Sequence, residues 1–142
     1  MANELHTLIR LSQLQLDEKR KAMAVLLAKV EAVEAEKARI LDELAAESQK
    51  PPEAFEGGLT QGPFIKASYQ KRDQMDELLR ALAKEVEAAQ AEIQSAFEEL
   101  KRYEIAAEQR ALKARKEAAR RETKALDETG STQQQSRQAD KG

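Results

Sequence analysis

Two stretches of this chain repeat apolar side chains every seven residues, at two positions of each heptad. This spacing places the apolar side chains along one narrow stripe of a helix, which a left-handed supercoil buries against another helix. The sequence therefore predicts an elongated α-helical coiled coil rather than a globule. The predicted seam consists of Ile9, Leu16, Met23, Leu26, Val30, Val33, Ile40, Leu44, Met75, Leu79, Leu82, Val86, Ile93, Leu100 and Tyr103.

A cluster of helix breakers separates the two stretches. Residues 2–50 hold no Gly or Pro and predict one helix, which must end near Lys50 because Pro51 and Pro52 follow it. Three glycines place a loop over residues 51–63, and Pro63 suits the start of a second helix over 64–128. Residues 129–142 have one apolar side chain and predict a disordered tail.

The loop allows the chain to fold back, so the predicted fold is all-α: a long antiparallel two-helix coiled-coil hairpin with a disordered C-terminal tail. Two registers satisfy the pattern, and the sequence does not choose between them. The first pairs Leu44 with Met75, Ile40 with Leu79, Val33 with Val86, Leu26 with Ile93 and Leu16 with Tyr103. The second pairs Val33 with Leu79, Val30 with Leu82, Leu26 with Val86 and Ile9 with Tyr103.

Composition argues against an enzyme. Aromatic residues make up 4% of the chain and charged residues 35%, so a thick core with a catalytic pocket is not expected. The chain has no Cys and a single histidine, His6, and we expect no metal and no cofactor. No apolar run approaches the length of a membrane span. The net charge of −2 argues against a protein held to nucleic acid by bulk charge.

The second predicted helix is the longer one, so its last 15 to 20 residues should lack a partner. Residues 101–124 carry nine basic and four acidic side chains, a local balance of +5. This segment is either a solvated helical face or a basic finger that meets an acidic surface.

Two further apolar groups and two seam lysines allow more than one interpretation. Phe55, Leu59 and Phe64 either close the hairpin tip or dock on a partner. Extra leucines near the N-terminus, among them Leu8 and Leu11, suggest a partner surface at the opposite end. Lys19 and Lys37 occupy seam positions, where we expect their stems to pack and their ammonium groups to reach water.

Short motifs resemble the FliJ family of flagellar export proteins over roughly residues 5–128. They are Leu8-Ile9-Arg10-Leu11, Leu16-Asp17-Glu18-Lys19-Arg20, Leu100-Lys101-Arg102-Tyr103-Glu104, Arg120-Arg121-Glu122 and Leu126-Asp127-Glu128. The related stalk proteins of virulence type III secretion systems share the architecture.

The resemblance implies a cytoplasmic stalk, at the cytoplasmic face of the export apparatus, that inserts into the ring of the flagellar export ATPase. It also implies contact with the export gate protein, handling of export chaperones, and attachment to the membrane only through these partners. Mapped onto this chain, the ATPase end comprises Leu8, Leu11, Arg110, Lys113, Arg115 and Arg120. The gate end comprises Glu43, Phe55, Phe64, Tyr69 and Met75.

Two other functions fit the pattern. One is a structural scaffold in which two chains pair as a parallel coiled-coil homodimer, with the glycine and proline cluster as a mere break. The other is a helix that binds anionic membrane or nucleic acid through residues 101–124.

Overall fold

A computed structural model describes the backbone of residues 2–50 and 61–140, and the side chains of residues 4–50 and 62–139. These residues form two helices, α1 (Ala2–Ser48) and α2 (Gln61–Asp140), which pack against each other, and this part of the chain contains no strand. The predicted all-α hairpin is therefore confirmed. Because the two helices pack within one chain, the parallel pairing of two chains is not the arrangement observed.

The helix ends that flank the loop differ by two or three residues from the prediction. α1 ends at Ser48 instead of residue 50, and the Lys50 N–H donates to the Glu47 carbonyl at 3.2 Å, as in a tight final turn. The Ser48 hydroxyl donates to the Leu44 carbonyl at 2.8 Å. α2 begins at Gln61, so Pro63 lies third in the helix, where a missing N–H is tolerated because the first-turn donors have no intrahelical partner.

The predicted disorder of residues 129–142 is not what the structure shows for residues 129–140. α2 continues through Asp140, and every described side chain of 129–139 is exposed. The hydroxyls of Thr129 and Thr132 each donate at 2.8 Å to the carbonyl four residues earlier, within the helix. Extending an existing helix needs no new nucleus, so polar residues can prolong it without burying apolar area. Residues 141 and 142 lie outside the described residues.

The contacts of the chain divide it into two compact units. Unit 1 combines α1 through Ser12 with α2 from Glu98 onward, and unit 2 comprises Gln13–Phe97.

In unit 2, seam positions provide the buried interior. Ile40 and Leu16 are only 2% and 3% exposed. Small side chains complete this interior where the helices approach closely, since Ser68 and Ala96 are buried at seam positions of α2. The half-buried apolar side chains of unit 2 at seam positions are Met23, Leu26, Val30, Val33, Ile65, Met75, Leu79, Leu82, Val86, Ala89 and Ile93.

The helices of unit 2 run antiparallel. Lys37 contacts Asp76 through an ion pair, with Nζ 2.7 Å from Oδ1. Leu27, ten residues before Lys37, lines a common groove with Val86, ten residues after Asp76. Residues closer to the N-terminus of α1 therefore lie beside residues closer to the C-terminus of α2.

The same ion pair selects the second of the two registers. In the first register Lys37 faces Leu82, six residues or about 9 Å along the axis from Asp76. In the second register Lys37 faces Met75, and Asp76 is the next residue. A nitrogen to oxygen distance of 2.7 Å fits the second register.

Unit 1 has a short interior of the same kind. Leu5 and Leu100 are buried, and Ile9 and Tyr103 are half-buried, as the second register requires of a facing pair. That register places Leu5 opposite Ala107, which is half-buried. From residue 108 to residue 139 every side chain is exposed, so α2 continues there without a partner among the described residues.

Candidate functional site

The part of α2 that lacks a packing partner is the first candidate site, and we name residues 108–139 the overhang. The sequence explains why packing stops there. If the heptad continued beyond Ala107, its seam positions would hold Arg110, Ala114, Glu117 and Arg121. Charged side chains at these positions leave no apolar stripe for another helix on that side, so the overhang stands in solvent.

Charge is distributed unevenly between the overhang and the rest of the chain. Residues 110–124 contain seven basic and two acidic side chains, a balance of +5, whereas the whole chain carries −2. The residues outside this segment therefore carry −7. All nine charged side chains of 110–124 are exposed, and none forms an ion pair with another described residue. Such a segment attracts an acidic partner over a distance of about 10 Å at ordinary ionic strength.

Helical geometry sorts the overhang into two faces. At about 100° per residue, six of the seven basic side chains fall within one arc of about 140°. Apolar side chains occupy the opposite side, where Leu112 and Leu126 are 47% and 67% exposed. The basic face comprises Arg110, Lys113, Lys116, Arg120, Arg121 and Lys124. The apolar stripe comprises Ala111, Leu112, Ala118, Ala119, Ala125 and Leu126.

Unit 1 contains all six side chains that the sequence assigns to the ATPase end, and all are exposed. Leu8 and Leu11 lie beside the buried Leu5 on α1 but point away from the seam, at 40% and 50% exposure. The four basic residues are not equivalent, however. Arg110, Lys113 and Arg120 share the basic face, whereas Arg115 lies among the apolar stripe.

The side chains assigned to the gate end belong to unit 2, except that Phe55 lies outside the described residues. Phe64 and Tyr69 are exposed, and the guanidinium of Arg72 lies 4.8 Å from the centre of the Tyr69 ring, a cation–π distance. Met75 is half-buried in the seam, so most of its surface serves the packing of the two helices rather than a partner.

The fifth gate-end residue, Glu43, belongs to an ion-pair cluster within α1. Arg39 donates from Nη1 to Glu43 at 2.5 Å and from Nε to Glu36 at 3.0 Å. The hydrogen bond from Arg39 is the main cause that lowers the pKa of the Glu36 carboxyl, and Lys71 of α2 adds a smaller Coulombic contribution. Glu36 and Glu43 together raise the pKa of Arg39. The Glu43 carboxylate therefore reaches the surface already paired.

A groove on one flank of unit 2 is a second candidate site, and the sequence analysis missed it. This flank groove has a volume of about 340 Å³ and lies open beside the seam. Its signal in the sequence is the apolar character of Leu27, Leu41 and Ala83 at a third heptad position next to the seam, a position that holds polar residues such as Glu34 at other turns. The lining includes Leu27, Val30, Glu34, Ala83, Val86 and Glu87.

Within residues 4–50 and 62–139, no three His, Cys, Asp or Glu side chains are arranged to hold a metal ion. Nor does either helix, over its described length, contain a stretch long and apolar enough to cross a membrane.

Comparison with known proteins brings no relative to this chain: no family model matches it, and neither a curated protein nor a solved structure matches it.

Proposed function

We propose that this chain is a non-enzymatic coiled-coil stalk of a bacterial flagellar export apparatus, acting at its cytoplasmic face. In this role the overhang and the exposed leucines of unit 1 bind the export ATPase. The loop-proximal surface of unit 2 binds the export gate protein, and the stalk also escorts export chaperones. The observation that carries the proposal is the overhang, a long stretch of helix with a basic face and with no packing partner among the described residues.

The overhang supports this role because its residues 110–124 carry seven basic side chains and only two acidic ones. Exposed Lys and Arg side chains on one helical face favour fast, salt-dependent association with an acidic surface. Leu8 and Leu11 add apolar contact area within the same unit. A ring-shaped enzyme whose pore offers carboxylates and a small apolar patch is a partner of matching chemistry.

The fold supports the proposal in a second way. The seam consists mainly of aliphatic side chains, and within the described residues no three His, Cys, Asp or Glu side chains are arranged to hold a metal ion. A molecule of this kind acts by binding and transmitting force. This agrees with the resemblance of its motifs to the FliJ family.

The experiment that tests the proposal measures ATP hydrolysis by the purified flagellar export ATPase with and without the full chain. We expect the chain at saturating concentration to raise turnover. For the double variant Arg110→Glu, Arg120→Glu, the concentration that gives half-maximal stimulation should rise by about tenfold or more. Raising the ionic strength should weaken binding by the wild-type chain, because the basic face is exposed.

The matched control is Lys66→Glu with Lys84→Glu, which changes the net charge by the same amount on exposed residues of unit 2. It should stimulate the ATPase as the wild type does. If the wild-type chain at saturation neither raises turnover nor binds the ATPase, the proposal is wrong.

Gate binding has its own test. Phe64→Ala and Tyr69→Ala should reduce binding of the chain to the purified cytoplasmic part of the gate protein, measured by surface plasmon resonance, while stimulation of the ATPase persists. Equal binding by the wild type and both variants would remove the gate from the proposal.

A further inference from the structure

The flank groove of unit 2 presents apolar surface that the two helices do not cover. Leu27 lines the groove and is 50% exposed, and Leu41, which shares its heptad position but lies beyond the groove lining, is 41% exposed. They lie fourteen residues apart, so they mark about 21 Å of the same flank. On the α2 side of the groove, Ala83 protrudes little because its side chain is a single methyl group.

A coiled coil of only two helices does not need apolar side chains at this third heptad position. Apolar residues at three positions of the heptad are typical of helices that pack in bundles of three or more. The lining of the groove is acidic, since it includes Glu34 of α1 and Glu87 of α2. The groove therefore fits an amphipathic helix with an apolar stripe and basic edges.

The overhang has these properties. Leu112 and Leu126 are exposed and lie fourteen residues apart, the same interval as Leu27 and Leu41 on the flank. Between them the stripe holds Ala118, Ala119 and Ala125, together with the charged side chains of Arg115 and Glu122. By helical geometry, Lys116 lies at one edge of the apolar stripe and Arg121 at the other.

We propose that the overhang of one copy of this chain docks as a third helix in the flank groove of a second copy. Leu112 and Leu126 cover the apolar part of the groove, and Lys116 and Arg121 meet Glu34 and Glu87 of its lining. The charges of the two surfaces are complementary, since residues 110–124 carry +5 and residues 13–97, with twelve basic and sixteen acidic side chains, carry −4.

A membrane surface fits the overhang less well than this groove does. Interfacial helices bury bulky apolar side chains, whereas the stripe here has two leucines among alanines. This inference does not rest on the proposed function, because it requires only the purified chain.

Analytical ultracentrifugation of the full chain over a range of concentrations tests the proposal. We expect association that increases with protein concentration and weakens when salt rises from 50 to 500 mM. The variant Leu112→Glu, Leu126→Glu should weaken association by about tenfold or more, and Ala83→Glu should do the same from the groove side. The control Leu14→Glu changes an exposed leucine outside both surfaces and should associate like the wild type.

Mixing separates direct docking from an indirect effect on folding. The overhang variant keeps an intact groove and the groove variant keeps an intact overhang, so an equimolar mixture should form heterodimers at a concentration at which each variant alone is mostly monomeric. Circular dichroism should show unchanged helicity in each variant. A wild-type chain that stays monomeric at several hundred micromolar in 50 mM salt would overturn the proposal, as would a mixture that remains monomeric.

Discussion

The Lys37 ammonium of α1 lies 2.7 Å from the Asp76 carboxylate of α2, and this ion pair joins the two helices at a seam position. Both side chains keep about one third of their surface exposed. A polar group at a seam position costs stability relative to an apolar one, but it favours the register in which it finds its partner. The second predicted register provides Asp76 as that partner.

The first prediction concerns the pH dependence of this pair. The hydrogen bond from Lys37 is the main cause that lowers the pKa of the Asp76 carboxyl below its ordinary value. Arg72 and Arg80 add smaller Coulombic contributions. Because the folded chain has the lower pKa, the pair stabilises the fold fully above the pKa of the unfolded chain, about 4, and this contribution is lost as pH falls through the folded value.

Urea unfolding followed by circular dichroism checks this prediction. Asp76→Asn should be less stable than the wild type at pH 7, and the difference between the two free energies of unfolding should shrink as the pH falls from about 5 toward 2. A difference that stays constant over this range would contradict the assignment to Asp76.

The second prediction concerns the register. The chain has no cysteine, so engineered pairs can be tested without a background thiol. Leu26→Cys with Val86→Cys should form a disulfide on mild oxidation, because the second register places these positions opposite each other. Leu26→Cys with Ile93→Cys is the matched pair of the first register and should remain reduced within one molecule. Mass spectrometry and a gel-shift assay distinguish the two, and the reverse result would assign the first register.

The third prediction compares two leucines of α1 that lie two residues apart. Leu16 is 3% exposed and Leu14 is 56% exposed. Leu16→Ala should lower the free energy of unfolding by about 2 to 5 kcal/mol, since it leaves a cavity in the seam. Leu14→Ala should change it by less than about 0.5 kcal/mol. Equal effects in chemical denaturation would mean that the seam is not the buried side.

The fourth prediction concerns the overhang. Since residues 108–139 have no packing partner among the described residues, their helix should open locally without disturbing the seam. Hydrogen exchange measured by mass spectrometry on dilute protein should show the overhang exchanging at least about tenfold faster than residues 16–44. Removal of residues 108–142 should leave the thermal midpoint of the remaining chain within about 2 °C of the wild type. A large drop would reveal stabilising contacts of the overhang within the monomer.

The local pattern accounts for most of the fold. Ile40 and Leu16 are buried because a seven-residue repeat leaves them no other position once a second helix packs on their stripe. Met75 shows where this reasoning is incomplete. Its apolar side chain was compatible with both a seam position and a partner surface. Only the packing of the two helices shows that most of the Met75 surface is covered in the seam.

By itself, the sequence determined that there are two helices, which stripe of each is apolar, and where the seam gives way to charge after Ala107. These properties depend on spacing and propensity within a single helix. Tertiary structure alone decided that Lys37 meets Asp76, which register follows, and that Leu27 and Ala83 share one flank groove. The physical reason is that a heptad repeat is unchanged by a shift of seven residues, so only contacts between the helices can distinguish one register from the next.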